Sequence, residues 1–181
     1  MEKLRNLSRM MKPALRDIVL NRGAAGYGVP HPVRAKILRA FGHRIAGTAW
    51  LNPRSFYGNT TGLTVGEGSF VNYGCFFDLG APTTIGARCA VGYEVMFVTC
   101  THEPGDAARR AGSDFTAPIV VGDGVWIGAR AVIMPGVTIH DGCVIAAGSV
   151  VTQDCEPHSL YAGVPAKLVR SLPLNPKVQH E

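Results

Sequence analysis

The chain has 181 residues, of which 46% are hydrophobic and only 17% charged. That composition is too apolar for a disordered chain, the length suffices to bury a sizeable core, and no run approaches the ~18 apolar residues of a membrane span. The net charge of +5 is uneven: residues 1–44 hold ten Lys/Arg against two acids, and residues 45–181 hold eight against eleven, so nucleic acid is not an expected partner.

The basic preface, residues 1–44, reads as helical. Pro13 suits the first turn of a helix running to about Leu20. NRGAAGYGVPHP is a turn-rich linker, and PVRAKILRAF is a short amphipathic helix with apolar residues at 33, 37, 38 and 41. Its charges are expected on solvated helix faces, with contact to an anionic partner or membrane surface as the alternative. The start is basic but carries no apolar signal-peptide core, so a cytoplasmic location and no integral membrane association are expected.

From Val65 onward a six-residue period takes over. The sextets run VGEGSF, VNYGCF, FDLGAP, then IGARCA, VGYEVM, FVTCTH, then VGDGVW, IGARAV, IMPGVT, IHDGCV, IAAGSV and VTQDCE, with a weaker copy at Ile45, Leu51 and Tyr57. Every first position is apolar, and every fifth is small or β-branched. The period is neither 3.6 nor a plain 2: a helix would put positions six apart on drifting faces, whereas a short strand and a sharp corner repeated every six residues keeps both special positions inward. Glycines at second and fourth positions suit corners of unusual backbone angle. Three sextets make one triangular coil, and stacked coils give parallel strands around a continuous core. Four of the five cysteines fall at fifth positions and are expected inside as small residues, not as a disulfide framework.

Two interruptions stand out. Eight residues separate Phe77 from Ile85, a corner bulge at LGAP, and the period vanishes over EPGDAARRAGSDFTAP, residues 103–118. A regular solenoid that extrudes a polar loop is expected to use it, and His102 sits at the loop's root.

The repeat resembles that of the hexapeptide-repeat acyltransferases, and from about Tyr57 to Leu172 the chain is similar to the maltose and galactoside O-acetyltransferases. TCTHEPGD, IVVGDGVWIGARAVIMPGVTIHDGCVIAAGSVVTQD and YAGVPAKLVRSL carry the likeness. It implies a mainly β fold, a left-handed parallel β-helix over residues 45–156. The handedness comes from the resemblance alone, because crossovers generally prefer the right hand. A coenzyme A-contacting tail would follow at 157–181. The implied activity is an acetyl-CoA-dependent O-acetyltransferase without a metal. His102 would be the general base on an acceptor hydroxyl that attacks the thioester directly, and the Ala129 N–H the oxyanion donor. Asn72 would bind the acceptor, with Asp78 and Asp114 also on the acceptor side. Trp126 would line the pantetheine tunnel, Ala147 and Thr152 would lie near the adenine, and Lys167 and Arg170 would meet the phosphates. A homotrimer with active sites between subunits is implied too. For the carboxylate that orients His102, the candidates are Asp78, Glu94, Glu103 and Asp106.

The departures from the family pattern all fall on the acceptor side. NPRSFYGNTTGLTVG is longer than its counterpart, leaving only Ser55 and Asn59 near the missing contact. Asp78 is shifted in its bulge, and Asp114 stands where a hydrophobic contact is usual. A simple sugar is therefore less expected than acetyl-CoA itself; the acceptor would be a hydroxylated small molecule, such as a sugar, an antibiotic or another secondary metabolite. The alternatives are another acyl-CoA or an amine acceptor, and a non-catalytic trimeric scaffold. A metalloenzyme resembling the γ-class carbonic anhydrases is disfavoured: histidines 31, 43, 102, 140, 158 and 180 contain no closely spaced pair.

Overall fold

The computed structural model describes residues 14–174. Two helical segments, α1 (Asp17–Ala24, of π-helical geometry) and α2 (His31–Ala40), precede a triangular prism of parallel strands. The first coil contains β1 (Arg44–Ile45), β2 (Trp50–Leu51) and β3 (Phe56–Tyr57); the second, β4 (Leu63–Val65), β5 (Phe70–Val71) and β6 (Phe76–Phe77). The third contains β7 (Thr83–Ile85), β8 (Ala90–Val91) and β9 (Met96–Phe97), and from it rises an antiparallel hairpin of β10 (Cys100–Pro104) and β11 (Ala111–Thr116). The fourth contains β12 (Ile119–Val121), β13 (Trp126–Ile127) and β14 (Val132–Ile133); the fifth, β15 (Thr138–Ile139), β16 (Val144–Ile145) and β17 (Val150–Val151). A hairpin of β18 (Ser159–Gly163) and β19 (Ala166–Ser171) closes the far end.

The strands stack into three faces: face A begins with β1, face B with β2 and face C with β3. Every first-position residue of the twelve sextets is buried, as are Ile45, Leu51 and Tyr57. Phe77 stacks on Phe97 at 5.1 Å and on Tyr57 at 5.9 Å, making an interior aromatic column beneath face C. Cys75, Cys89, Cys143 and Cys155 are buried and free, and burial pushes the Cys75 and Cys155 thiols up to about 12.

Register shows where the period is broken. Trp50 pairs with Phe70 and Phe70 with Ala90, a coil of twenty residues, whereas Trp126 pairs with Val144, a coil of eighteen. The two extra residues of each long coil, and the hairpin β10–β11, all leave at the corner from face C to face A. There the buried-position rule fails. Ala81 and Thr101 are only half-buried, while Leu79, Thr83 and Thr99 are buried in their stead, because the longer corner re-phases its inward side chain.

Corner glycines serve two purposes, not the single one expected. At the fourth position Gly74 has φ 75°, the left-handed region that favours glycine. At the second position the requirement is close approach. A Cβ on Gly92 would lie 2.6 Å from the Ala129 nitrogen one coil away.

The helices cap the open end of the prism. Pro13 lies outside the described residues. The segment starting at Asp17 runs to Ala24, four residues beyond the expected end, because burying Leu20 and Ala24 outweighs the low helix propensity of Asn21 and Gly23. Several arginines of the basic preface do not sit on solvated faces. Arg34, 2% exposed, donates to the carbonyls of Ala24 (2.7 Å), Leu51 (2.8 Å), Val29 (2.9 Å) and Gly26 (3.0 Å). Arg39 donates to Ile45 O (2.7 Å) and Ala46 O (2.9 Å), and Arg16 to Gly58 O (2.6 Å). Asn21 accepts from Tyr57 N–H (2.8 Å) and donates to Tyr57 O (3.2 Å). The first coil's strand edges on all three faces thus find partners that water would otherwise supply.

His43 belongs to this cap. Its Nδ1 accepts from Leu63 N–H at 3.3 Å, its Nε2 has no partner among the described residues, and burial holds its pKa down at about 4. Between the ordinary 6.5 and about 4 the unfolded chain takes up a proton that the folded one refuses. The titration of His43 therefore has no effect above pH 6.5 and destabilises the fold progressively as pH falls toward 4, by up to about 3 kcal/mol. His43→Gln, which can still accept from Leu63, is expected to flatten this part of the pH–stability curve. Urea unfolding at pH 4.5 and 7.5 checks it, and an unchanged wild-type-to-variant difference contradicts it.

Candidate functional site

Two corners carry chemistry. The first is the C-to-A corner of the third coil, where β10 and β11 leave the prism. Cross-strand register sets His102 directly opposite Asp114. Nδ1 of His102 lies 3.1 Å from Oδ1 of Asp114, and both side chains are open to solvent. A carboxylate beside Nδ1 favours the tautomer that carries its proton there and leaves the lone pair on Nε2. Asp114 is thus the carboxylate within hydrogen-bond reach of His102. The four earlier candidates are otherwise engaged or unpaired. Asp78 accepts from Thr99 N–H (3.0 Å) and Thr99 Oγ1–H (3.2 Å), closing the corner below the hairpin. Glu94 pairs with Arg130 at 2.7 Å, Asp106 accepts from Ala108 and Arg109 N–H within the loop, and Glu103 is exposed.

The second is a groove of about 540 Å³ on face B and its corner with face C. Its floor is the outer column of face B, where register aligns Trp126, Val144 and Leu160. Trp126 stands 58% exposed at the groove, an unusual outlay for an indole without a ligand or interface. The wall is the stacked corner of Asn72, Gly92, Gly128, Ala129, Ala146 and Ala147. Gly92 and Gly128 have no side chain to cover the next coil, where the Ala129 and Ala147 N–H groups donate to no protein acceptor among the described residues. The groove carries no acidic side chain. An adjoining hollow of about 600 Å³ shares Tyr93, Ala129 and Ala147 and extends it along the corner.

Lys167 and Arg170 sit on exposed β19. Arg170 pairs with Leu160 and Lys167 with Ala162, so both share the outer side of face B at the groove's far end. The groove therefore gathers Asn72, Trp126, Ala129 and Ala147 and ends toward Lys167 and Arg170. It does not gather His102, Asp114, Asp78 or Thr152, which follow face C at the other corner. Ser55 is buried, and Asn59 is hydrogen-bonded to Leu79 O, so neither replaces the missing acceptor contact. Among the described residues no three His, Cys, Asp or Glu side chains converge, and no helix is long and apolar enough to cross a membrane.

The comparisons with known proteins agree on the family. A family model described as "Bacterial transferase hexapeptide (six repeats)" matches residues 118–153. Galactoside O-acetyltransferase of Escherichia coli is 30% identical over 139 residues, 77% of this chain and 68% of that protein. A Schizosaccharomyces pombe protein provisionally named an acetyltransferase is 44% identical over 107 residues, 59% of this chain; the match spans only 52% of that relative. A solved hexapeptide-repeat acetyltransferase of Vibrio cholerae, in complex with acetyl coenzyme A, superposes with a TM-score of 0.74 at 31% identity, covering 90% of this chain and 86% of that one.

Replacing Gly92 with alanine is expected to force the third and fourth coils apart at Ala129 and to lower stability by about 1–3 kcal/mol. Chemical denaturation of the variant measures this, and an unchanged midpoint would show that the corner tolerates a Cβ.

Proposed function

The chain belongs to the hexapeptide-repeat acetyltransferases, with their left-handed parallel β-helix, and from that premise we propose that it is an acetyl-CoA-dependent O-acetyltransferase whose active site forms between neighbouring subunits. The observation that carries the proposal is the separation of parts within one chain. The oriented histidine is on the hairpin at the C-to-A corner, and the groove is on face B with its corner to face C.

The groove fits the donor. Its apolar floor and unpaired N–H groups suit a pantetheine arm, which carries both methylenes and amides. Trp126 gives that arm a flat wall, and Ala147 would lie toward the adenine together with Thr152 of a neighbour. Lys167 and Arg170, at the far end, would meet the phosphates.

Outer surfaces favour a threefold assembly. Face B exposes Trp50, Phe70 and Trp126, and face C presents Phe56, Phe76 and Met96, while face A presents Arg44, Thr64, Thr84, Val120 and Thr138. A closed trimer covers the two more apolar faces of each prism and leaves the more polar one to water. Face C of one subunit then meets face B of the next, and His102 of the first approaches Trp126 of the second.

In that setting the Nε2 of His102 takes the proton of the acceptor hydroxyl as its oxygen attacks the thioester carbonyl. The Ala129 N–H receives the oxyanion that develops there. As the carbon–sulfur bond breaks, His102 returns the proton to the departing thiolate, so the base ends as it began. Asp114 holds the ring and steadies its charged form, Asn72 meets the acceptor, and Asp78 stiffens the corner from which the hairpin rises. Free buried thiols and the use of acetyl-CoA suit a reducing, cytoplasmic setting.

The test is acetyl transfer from acetyl-CoA to a panel of hydroxylated acceptors, followed by thiol release. His102→Ala is expected to lower kcat by about 10²–10⁴-fold with CoA affinity unchanged, and Asp114→Asn by about tenfold. Undiminished transfer by His102→Ala would remove it from the role of base.

A further inference from the structure

We propose that Trp50, Asn52 and Asn72 form a one-way hydrogen-bond relay that fixes which end of the Asn72 amide meets the acceptor, and that this makes the site select a hydroxyl over an amine. The inference rests on the transferase reading above.

Asn52 and Asn72 occupy the same corner position in successive coils. The twenty-residue length of the first coil, set by Trp50 pairing with Phe70, places one under the other. Asn52 is only 9% exposed. Its Oδ1 accepts from the Trp50 indole N–H at 3.2 Å, and its Nδ2 donates to Asn72 Oδ1 at 3.5 Å. Asn72 Oδ1 also accepts from Tyr73 N–H at 3.0 Å. The indole is held in turn by the helical cap. It stacks on His31 with ring centres 4.2 Å apart, and His31 Nδ1 accepts from Leu51 N–H at 3.3 Å.

The direction of the relay follows from what each group can do. An indole N–H and a peptide N–H can only donate. The first forces the oxygen of Asn52 toward Trp50, which turns its NH₂ toward Asn72. The second independently requires the oxygen of Asn72 to face back toward the corner. Both leave the Asn72 NH₂, which donates to no protein group among the described residues, as the polar end presented to the groove. That end complements an oxygen lone pair. A hydroxyl can accept from it while giving its own proton to His102. An amine has a single lone pair, which must attack the thioester and so cannot also accept from Asn72; its N–H groups would need an acceptor there instead. Asn52 and Trp50 are thus positioning residues, acting through Asn72.

The experiment compares the wild type with Asn52→Leu, Asn52→Asp and Trp50→Phe, using p-nitrophenyl β-D-galactopyranoside and its 2-amino-2-deoxy analogue as acceptors. Hydroxylamine cleaves acetyl esters but not acetamides, and so separates the products. Asn52→Leu is expected to raise acceptor KM about tenfold and leave acetyl-CoA KM unchanged. Asn52→Asp, which cannot donate to Asn72, is expected to raise the ratio of N- to O-acetyl product on the amino sugar at least tenfold, roughly one hydrogen bond's worth. Trp50→Phe keeps the ring and loses the donor, and should shift the ratio in the same direction. Unchanged acceptor KM and product ratio in all three variants would overturn the relay, as would a parallel rise in acetyl-CoA KM. If the wild type transfers to neither sugar, the acceptor of the transferase lies outside this pair, and hydrogen exchange decides the relay separately. The Trp50 indole N–H should be protected in the wild type and lose protection in Asn52→Leu, while that of Trp126 is unaffected. A freely exchanging Trp50 indole in the wild type overturns it.

Discussion

In a prism of stacked coils nearly every strand hydrogen bond joins one coil to the next, so a residue added anywhere displaces everything after it unless the addition is confined to a corner. This chain confines its additions to one corner. The longer turns of the first coils and the sixteen-odd-residue excursion of the hairpin all leave between faces C and A. Face B and its corner with face C are therefore uninterrupted. Trp50, Phe70, Ala90, Trp126, Val144 and Leu160 stand in one outer column, which ends beside the strand bearing Lys167 and Arg170. A long, shallow groove is the natural product of such a column. A projecting histidine–carboxylate pair is the natural product of the interrupted corner. The same constraint makes both and keeps them apart within one chain.

The ends of the prism pose the complementary problem. Unpaired strand edges attract other chains and expose the core. The far end is closed by a hairpin, the near end by two short helices whose side chains do the pairing. Arg34 is the extreme case, a buried guanidinium whose donors are directed at four carbonyls, with desolvation lowering its pKa. The cap also reaches toward the groove, because His31 at the start of α2 supports Trp50. Sealing the core and setting the polarity of Asn72 are thus linked through one indole.

The repeat made the architecture legible in the sequence, since first positions that are always apolar and fifth positions that are always small leave few folds open. The broken period marked His102, and Trp126 was conspicuous as an aromatic at an outward position. What stayed hidden depended on distances along the chain that a period of six does not supply. Asp114 faces His102 because of the hairpin's register, which a polar loop of unknown pairing does not disclose. Asn52 lies beneath Asn72 because the early coils are twenty residues long rather than eighteen. The second-position glycines read as turn formers until the closeness of neighbouring coils showed their purpose. The N-terminal arginines read as surface charge because carbonyl acceptors leave no trace in a sequence.

The central claim is that a working site takes its base from one subunit and its groove from the next, and complementation tests it most directly. His102→Ala and Trp126→Ala chains, each nearly inactive alone, would be unfolded together, refolded as a mixture and assayed for acetyl transfer. Random threefold assembly with sites between subunits predicts recovery of about a quarter of wild-type activity, because one site in four then joins an intact histidine to an intact groove. A mixture no more active than the sum of its parents would contradict the account.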